Sequence, residues 1–273
     1  MNSNLIKRII TAVILIPVVV AGVLMLPNDG FAIALGVFVI GGAWEWSRLA
    51  EIKNIAVRFG FVLLVAGLLW VAYRFSLIPV LITGVVFWLA GLLQIVLNEK
   101  SISSVTNSSI IRSVMGLLVL VPSWKAIVAL HGMNEDGGLL VMFLMIMIWV
   151  ADSGAYFAGH RFGKHKLAPA TSPGKTWEGV AGALLATALF AFLIHTNSSM
   201  IKTNEIMFVV LCVFTTMISI VGDLYESMFK RVAGVKDSGT LIPGHGGVLD
   251  RIDSLTAAAP VFVAGLVWMG EFA

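Results

Sequence analysis

Charge and cysteine are what this sequence has least of. Asp, Glu, Lys and Arg together make up 12% of the 273 residues, against about 25% in soluble domains. Hydrophobic residues make up 59%, and the mean hydropathy is +0.97. A soluble globule of this length needs more polar surface than that. The chain is therefore expected to be an integral membrane protein. Its one cysteine, Cys212, lies inside an apolar run, which excludes a disulfide framework and a cysteine-based metal site. A net charge of only +3 speaks against nucleic acid as a partner, since such binding needs many phosphate-neutralising cations. Internal repeats, heptads and low-complexity tracts are also missing.

The apolar runs are continuous rather than alternating, which excludes a strand barrel. About 20 apolar residues cross the hydrocarbon core as a helix. Nine stretches qualify: Ile9–Leu26, Phe31–Ser47, Phe59–Tyr73, Leu77–Leu97, Ile110–Leu130, Gly138–Ala158, Trp177–Ile194, Ile206–Glu226 and Ser254–Phe272. The first is too long for a signal-peptide core and ends in a turn, Pro27-Asn28-Asp29-Gly30. The expected fold is all-α, a polytopic transmembrane helical bundle of about nine spans. With the N-terminus inside, only Arg74 and Lys202 of the 18 Lys and Arg fall in outer connections, and only Lys125 falls within a span. That bias predicts an N-in, C-out topology. Lys125 is expected to snorkel outward, and Trp44, Trp46 and Trp177 to sit in an interfacial belt. Residues 1–133 read as a membrane scaffold and residues 134–273 as the chemical region.

Ionisable residues within spans are costly and point to function. Asp152 lies near the cytoplasmic end of its span, Glu178 opens the next, Asp223 and Glu226 close the eighth, and Asp250 and Asp253 open the ninth. All should meet at one membrane depth. Asp223, Ser227 and Lys230 stand at i, i+4 and i+7 and share a helical face, as do Asp250, Asp253 and Ser254 once the ninth helix has begun. Between them run Lys236-Asp237-Ser238-Gly239 and Pro243-Gly244-His245-Gly246-Gly247. Glycines let backbone N–H groups approach an anion closely, and the bases supply countercharge. Carboxylates beside such a loop suit a magnesium-bound polyphosphate, because hard cations take oxygen ligands.

The segment Ser172-Pro173-Gly174-Lys175-Thr176-Trp177-Glu178 contains Gly-Lys-Thr, yet Pro169 stands where a phosphate-binding P-loop needs glycine, and a membrane helix follows with no strand before it. A dinucleotide fingerprint fails at Leu249. Ser172, Lys175 and Thr176 can still donate to phosphate oxygens at a helix N-terminus, or merely cap it.

Taken together, residues 227–253 resemble the bacterial phosphatidate cytidylyltransferase (CDP-diacylglycerol synthase) family: Ser227, Lys230, Arg231, Lys236, Asp237, Gly239, Pro243, His245, Gly246, Gly247, Asp250, Arg251 and Asp253 stand in its pattern without departure. The stretches 152–156 and 172–178 resemble it too. The likeness is sharp over the C-terminal half and general over the first. It implies transfer of CMP from CTP to phosphatidic acid, giving CDP-diacylglycerol and pyrophosphate, with one Mg²⁺ ion or two. It also implies a homodimeric, multi-pass enzyme of the inner membrane whose site faces the cytoplasm. Asp223 and Asp250 match the family's metal-binding aspartates.

On that footing Lys230, Arg231, Lys236 and Arg251 are expected to clamp phosphates. Asp253 and Glu226 would support the metal shell, and Asp237 would order the loop or touch substrate. His245 would donate to a phosphate oxygen or order the loop. Ser172, Lys175, Thr176, Glu178, Ser227, Gly246, Gly247 and Asp152 are expected to bind substrate. No nucleophilic side chain is required, because a phosphate monoester is largely dianionic at neutral pH, its second pKa being about 6. Two rival readings are a multi-span transporter with an ion or anion site at the cytoplasmic helix ends, and a CDP-alcohol phosphotransferase. The transporter would need broken helices in related repeats. The phosphotransferase would need an Asp-Gly-x-x-Ala-Arg start that this chain lacks.

Overall fold

The computed structural model describes residues 3–97, 108–198, 200–244 and 246–272. Nine helices run through them: α1 Ser3–Met25, α2 Asn28–Leu49, α3 Ile55–Arg74, α4 Leu77–Leu97, α5 Ser109–His131, α6 Gly137–Phe162, α7 Trp177–Asn197, α8 Glu205–Val232 and α9 Leu249–Trp268. Among the described residues, eight are long and apolar enough to cross a membrane, and α1 carries a shorter apolar stretch, Ile9–Met25. The bundle is all-α as expected, with a small addition. Lys166–Ala168 (β1) and Ser172–Thr176 (β2) form an antiparallel hairpin pairing Lys166 with Thr176 and Ala168 with Ser172.

Polar side chains set several helix starts. Asn54 accepts from Ala56 N–H and Asn204 from Ile206 N–H, at 2.8 and 2.9 Å, and Thr176 accepts from Gly179 N–H at 3.1 Å. Each satisfies a donor that the first helical turn leaves open. Several ends differ from expectation, and two of them bear on the site: α8 continues past Glu226 to Val232, and α9 begins at Leu249 rather than Ser254. Cutting helices where the apolar run stops misses termini whose charges favour them. Lys230 and Arg231 lie in the last turn of α8 and Asp250 in the first turn of α9, each of the sign that the helix dipole prefers.

Small residues let the helices of the second half touch. Along α6 and α7, a Cβ on Gly154 would stand 2.7 Å from Gly182 O, and one on Gly182 would stand 2.3 Å from Ala158 Cβ. Close backbone approach of this kind is how helices associate in lipid, where apolar burial gives no drive. Between α8 and α9, a Cβ on Gly222 would lie 2.8 Å from Asp253 O. That contact brings the helix of Asp223 against the helix of Asp253. Gly222→Val should therefore force α8 and α9 apart, with an overpacking cost of about 1–3 kcal/mol. A lower thermal unfolding midpoint and a loss of turnover are expected, and a variant with both unchanged would refute the close contact.

Two apolar clusters fill the bundle. Trp46, Trp88, Tyr225, Phe229 and Leu249 belong to one, and Leu140, Leu144, Met147, Phe208 and Phe262 to the other. Trp46 is 1% exposed and donates to Arg112 O at 2.8 Å, so it is core and not part of an interfacial belt. The packing of α2 against α5 draws it inward. Trp44 lies under the Arg58 guanidinium, 4.0 Å from the ring centroid, and Trp177 is exposed. Lys125 is half-buried and donates to Tyr73 O at 3.2 Å, tied to the end of α3 by a carbonyl its ammonium can reach.

Candidate active site

The C-terminal turns of α8 and the first turn of α9 meet at one end of the bundle, joined there by the hairpin. From β2, Lys175 Nζ stands 2.6 Å from Asp223 Oδ2. The other oxygen of Asp223 accepts from Ser227 Oγ at 3.2 Å, one helical turn along. A second ammonium, Lys230, is buried between Asp250 Oδ1 at 2.8 Å and Glu226 Oε1 at 3.2 Å. Its contact with Glu226 is an ion pair without hydrogen-bond alignment, so Glu226 Oε1 has no hydrogen-bond partner. Asp253 accepts from Ser254 N–H at 2.7 Å and lies within electrostatic range of Asp223, Lys230 and Lys175. Asp152, from α6, lies within range of Asp223 and Lys175.

Of the six acids expected to meet, five come together and Glu178 does not. Five carboxyl groups, Asp152, Asp223, Glu226, Asp250 and Asp253, share the two ammonium groups of Lys175 and Lys230. So acidic a cluster can receive a polyanion only with additional cations, since like charges at short range repel strongly. Among the described residues, no three His, Cys, Asp or Glu side chains could enclose a metal by themselves. Paired carboxylate oxygens such as those of Asp223 and Asp250 are the donor type that hard divalent cations take.

The loop between α8 and α9 is built around Asp250. Its carboxylate accepts from Gly247 N–H at 2.8 Å and from Ser238 N–H at 3.0 Å. Gly246 adopts φ +85°, a conformation that favours glycine, and a Cβ there would lie 2.8 Å from Asp250 Oδ2. Gly246 and Gly247 were expected to approach a substrate anion. The anion they approach here is the chain's own, Asp250, because a carboxylate in the first turn of α9 offers the nearest acceptor. Lys236, Asp237 and Arg251 are exposed around the cluster, and among the described residues none of the three forms an ion pair within 4 Å. The expected role of His245 lies outside the described residues.

A cavity of about 370 Å³ opens beside the cluster between α6, the hairpin and α7, with Ile220 of α8 at its wall. Asp152, Tyr156, His160, Lys175 and Thr176 supply its polar lining. Thr176 is nonetheless occupied as the helix cap. Glu178, expected to meet substrate, does not line this cavity. It accepts from His165 Nδ1 at 2.6 Å and fastens the base of the hairpin, since the first turn of α7 points it back along the incoming chain. Arg231, expected as a phosphate clamp, donates from Nε to Thr171 O at 3.4 Å and ties the hairpin tip to α8. Ser172 lies in β2 opposite Ala168.

Sequence reasoning assigned no role to Glu45, although it was one of the few charges in the first half. It is 1% exposed and accepts from Ser238 Oγ at 3.1 Å and Leu249 N–H at 3.0 Å. A single acid in an apolar helix was a signal that could have found it, but its partners, about 200 positions along the chain, could not be read from spacing.

The chain matches the Cytidylyltransferase family over residues 6–269. It is 41% identical over 264 residues to the phosphatidate cytidylyltransferase of Pseudomonas aeruginosa, covering 96% of both chains. With that of Haemophilus influenzae it shares 40% over 278 residues, covering 94% of this chain and 96% of the relative. A Thermotoga maritima protein of the same name is 33% identical over 269 residues, covering 95% of each.

Proposed function

We propose that this chain, which belongs to the cytidylyltransferase family, transfers CMP from CTP to phosphatidic acid, releasing pyrophosphate and forming CDP-diacylglycerol. The observation that carries this reading is the pairing of Lys175 with Asp223 beside that of Lys230 with Asp250. Three separate parts of the chain thereby place alternating charges next to a cavity among membrane helices. Such a place can receive a phosphate headgroup whose acyl chains stay in lipid and a nucleotide that arrives from water.

Asp223 and Asp250 would hold Mg²⁺, whose donor preference for carboxylate oxygens they meet. When bound, the metal would offset the negative charge of the reacting phosphates and the departing pyrophosphate. The chain's own groups do the rest. Lys175, released from Asp223, would pair with substrate phosphate, and Lys230, held by Glu226 and Asp250, would fix the position of Asp250. Lys236 and Arg251, exposed at the rim, would draw in the triphosphate. Asp253 and Glu226 would balance the lysines. The attacking phosphate monoester needs no general base, so positioning and electrostatics suffice.

Purified protein in detergent, given phosphatidic acid, labelled CTP and Mg²⁺, should yield CDP-diacylglycerol and pyrophosphate. Failure to form either product would overturn the proposal. Lys175→Ala is expected to raise the KM for CTP about tenfold, equivalent to roughly 1.4 kcal/mol, with a smaller change in kcat. Unchanged kinetics would leave the hairpin as a helix cap alone. The transport reading gains no support from α6–α9, which run as unbroken helices.

The proposed setting is the inner membrane, N-in and C-out, with the site facing the cytoplasm and the protein a homodimer. A periplasmic reporter fused after α9 should be active, and particle mass in detergent should be that of two chains.

A further inference from the structure

Glu45 lies on α2, in the half of the chain that holds none of the acids grouped around Lys175 and Lys230. Its carboxyl is buried, and among the described residues it has no ion-pair partner within 4 Å. Oε2 accepts from Ser238 Oγ at 3.1 Å and from Leu249 N–H at 3.0 Å, while Oε1 has no hydrogen-bond partner. The loop is shaped around this group. A Cβ on Gly239 would stand 2.2 Å from Glu45 Oε1, and one on Gly247 would stand 2.4 Å from Oε2. A side chain at either glycine would displace the carboxylate that packs against it.

The residues that Glu45 holds are also those that hold Asp250. Ser238 gives its hydroxyl to Glu45 and its N–H to Asp250. Gly247 packs against Glu45 and gives its N–H to Asp250. Leu249, whose N–H goes to Glu45, directly precedes Asp250. We propose that Glu45 is a positioning residue: from α2 it fixes the loop at 238 and at 247–249, and so presents the Asp250 carboxylate in one orientation to the cation and the phosphates. Ser238 and Gly247 bond Asp250 directly; removing direct supports of a metal ligand commonly changes metal affinity or activity by about 10–100-fold, and Glu45, acting through them, is expected at the lower end.

The proposal rests on Asp250 being a metal ligand, and the test separates the two ideas. Full-length wild-type, Glu45→Ala and Glu45→Gln proteins are titrated with Mn²⁺ by electron paramagnetic resonance without substrate. Thermal unfolding and product formation across Mg²⁺ concentrations are measured in parallel. Glu45→Ala should weaken Mn²⁺ binding and raise the Mg²⁺ half-saturation by about tenfold, with KM for CTP at saturating Mg²⁺ changing less than about threefold. Glu45→Gln keeps an acceptor oxygen facing Ser238 and Leu249 and should restore Mn²⁺ binding to within about threefold of wild type.

Wild-type Mn²⁺ binding by Glu45→Ala overturns the proposal, as does a Glu45→Gln protein as impaired as Glu45→Ala. A loss that merely follows the unfolded fraction would make Glu45 a structural residue and overturn it too. If the wild type binds no Mn²⁺, the assignment of Asp250 falls, and the hold on the loop is read from tryptic cleavage at Lys236. Faster cleavage in Glu45→Ala but not in Glu45→Gln then upholds Glu45, and equal cleavage in all three rejects it.

Discussion

Asp250→Asn should lower turnover by about a thousandfold or more, equivalent to roughly 4 kcal/mol of transition-state stabilisation. The carboxylate accepts from the N–H groups of Gly247 and Ser238 and from Lys230 Nζ. An asparagine offers one oxygen where two are used, and turns an amide donor toward other donors. Lys230, buried at 8% exposure, would keep, among the described residues, Glu226 as its ion-pair partner. Truncating one member of a buried charge pair is costly mainly because of the charge it leaves behind. The loss should therefore appear in kcat, together with a modest fall in the unfolding midpoint. Turnover within tenfold of wild type at low Mg²⁺ would remove Asp250 from the proposed metal shell.

Asp223→Asn should be comparably inactive while staying closer to wild type in stability. Its partners, Lys175 and Ser227, are both only partly buried, so the freed ammonium can turn to solvent at small cost. The two aspartates thus make different predictions in one experiment. Both variants lose CDP-diacylglycerol synthesis, and Asp250→Asn alone shows a clear fall in thermal stability. If Asp223→Asn supports wild-type turnover, the Lys175 contact marks a structural ion pair, and the metal must be sought elsewhere.

The difference between these sites also shows what could be read from the chain without coordinates. Spans were legible because hydrocarbon requires long apolar helices, and each of the nine stretches corresponds to a helix. The i, i+4, i+7 spacing put Asp223, Ser227 and Lys230 on one face because α8 is continuous through them. Contacts closed by tertiary structure were not legible. The reach of Lys175 to Asp223 depends on a hairpin too short to announce itself by alternation, and Glu178 turns toward His165 because of where that hairpin begins. Glycines 239, 246 and 247 were recognised as places where backbone meets an anion. Which anion they meet is decided by α2 and α9 packing over them, and local sequence does not contain that.

The hairpin is pinned at its base by Glu178 and His165 and near its tip by Arg231, and it carries Lys175 outside any membrane-crossing helix. Glycine seams lock α6 to α7 and α8 to α9. The lysine can therefore leave Asp223 and return without those helices parting. On the proposed reading, exchanging Asp223 for a substrate phosphate asks for rotation of one side chain and no opening of the bundle.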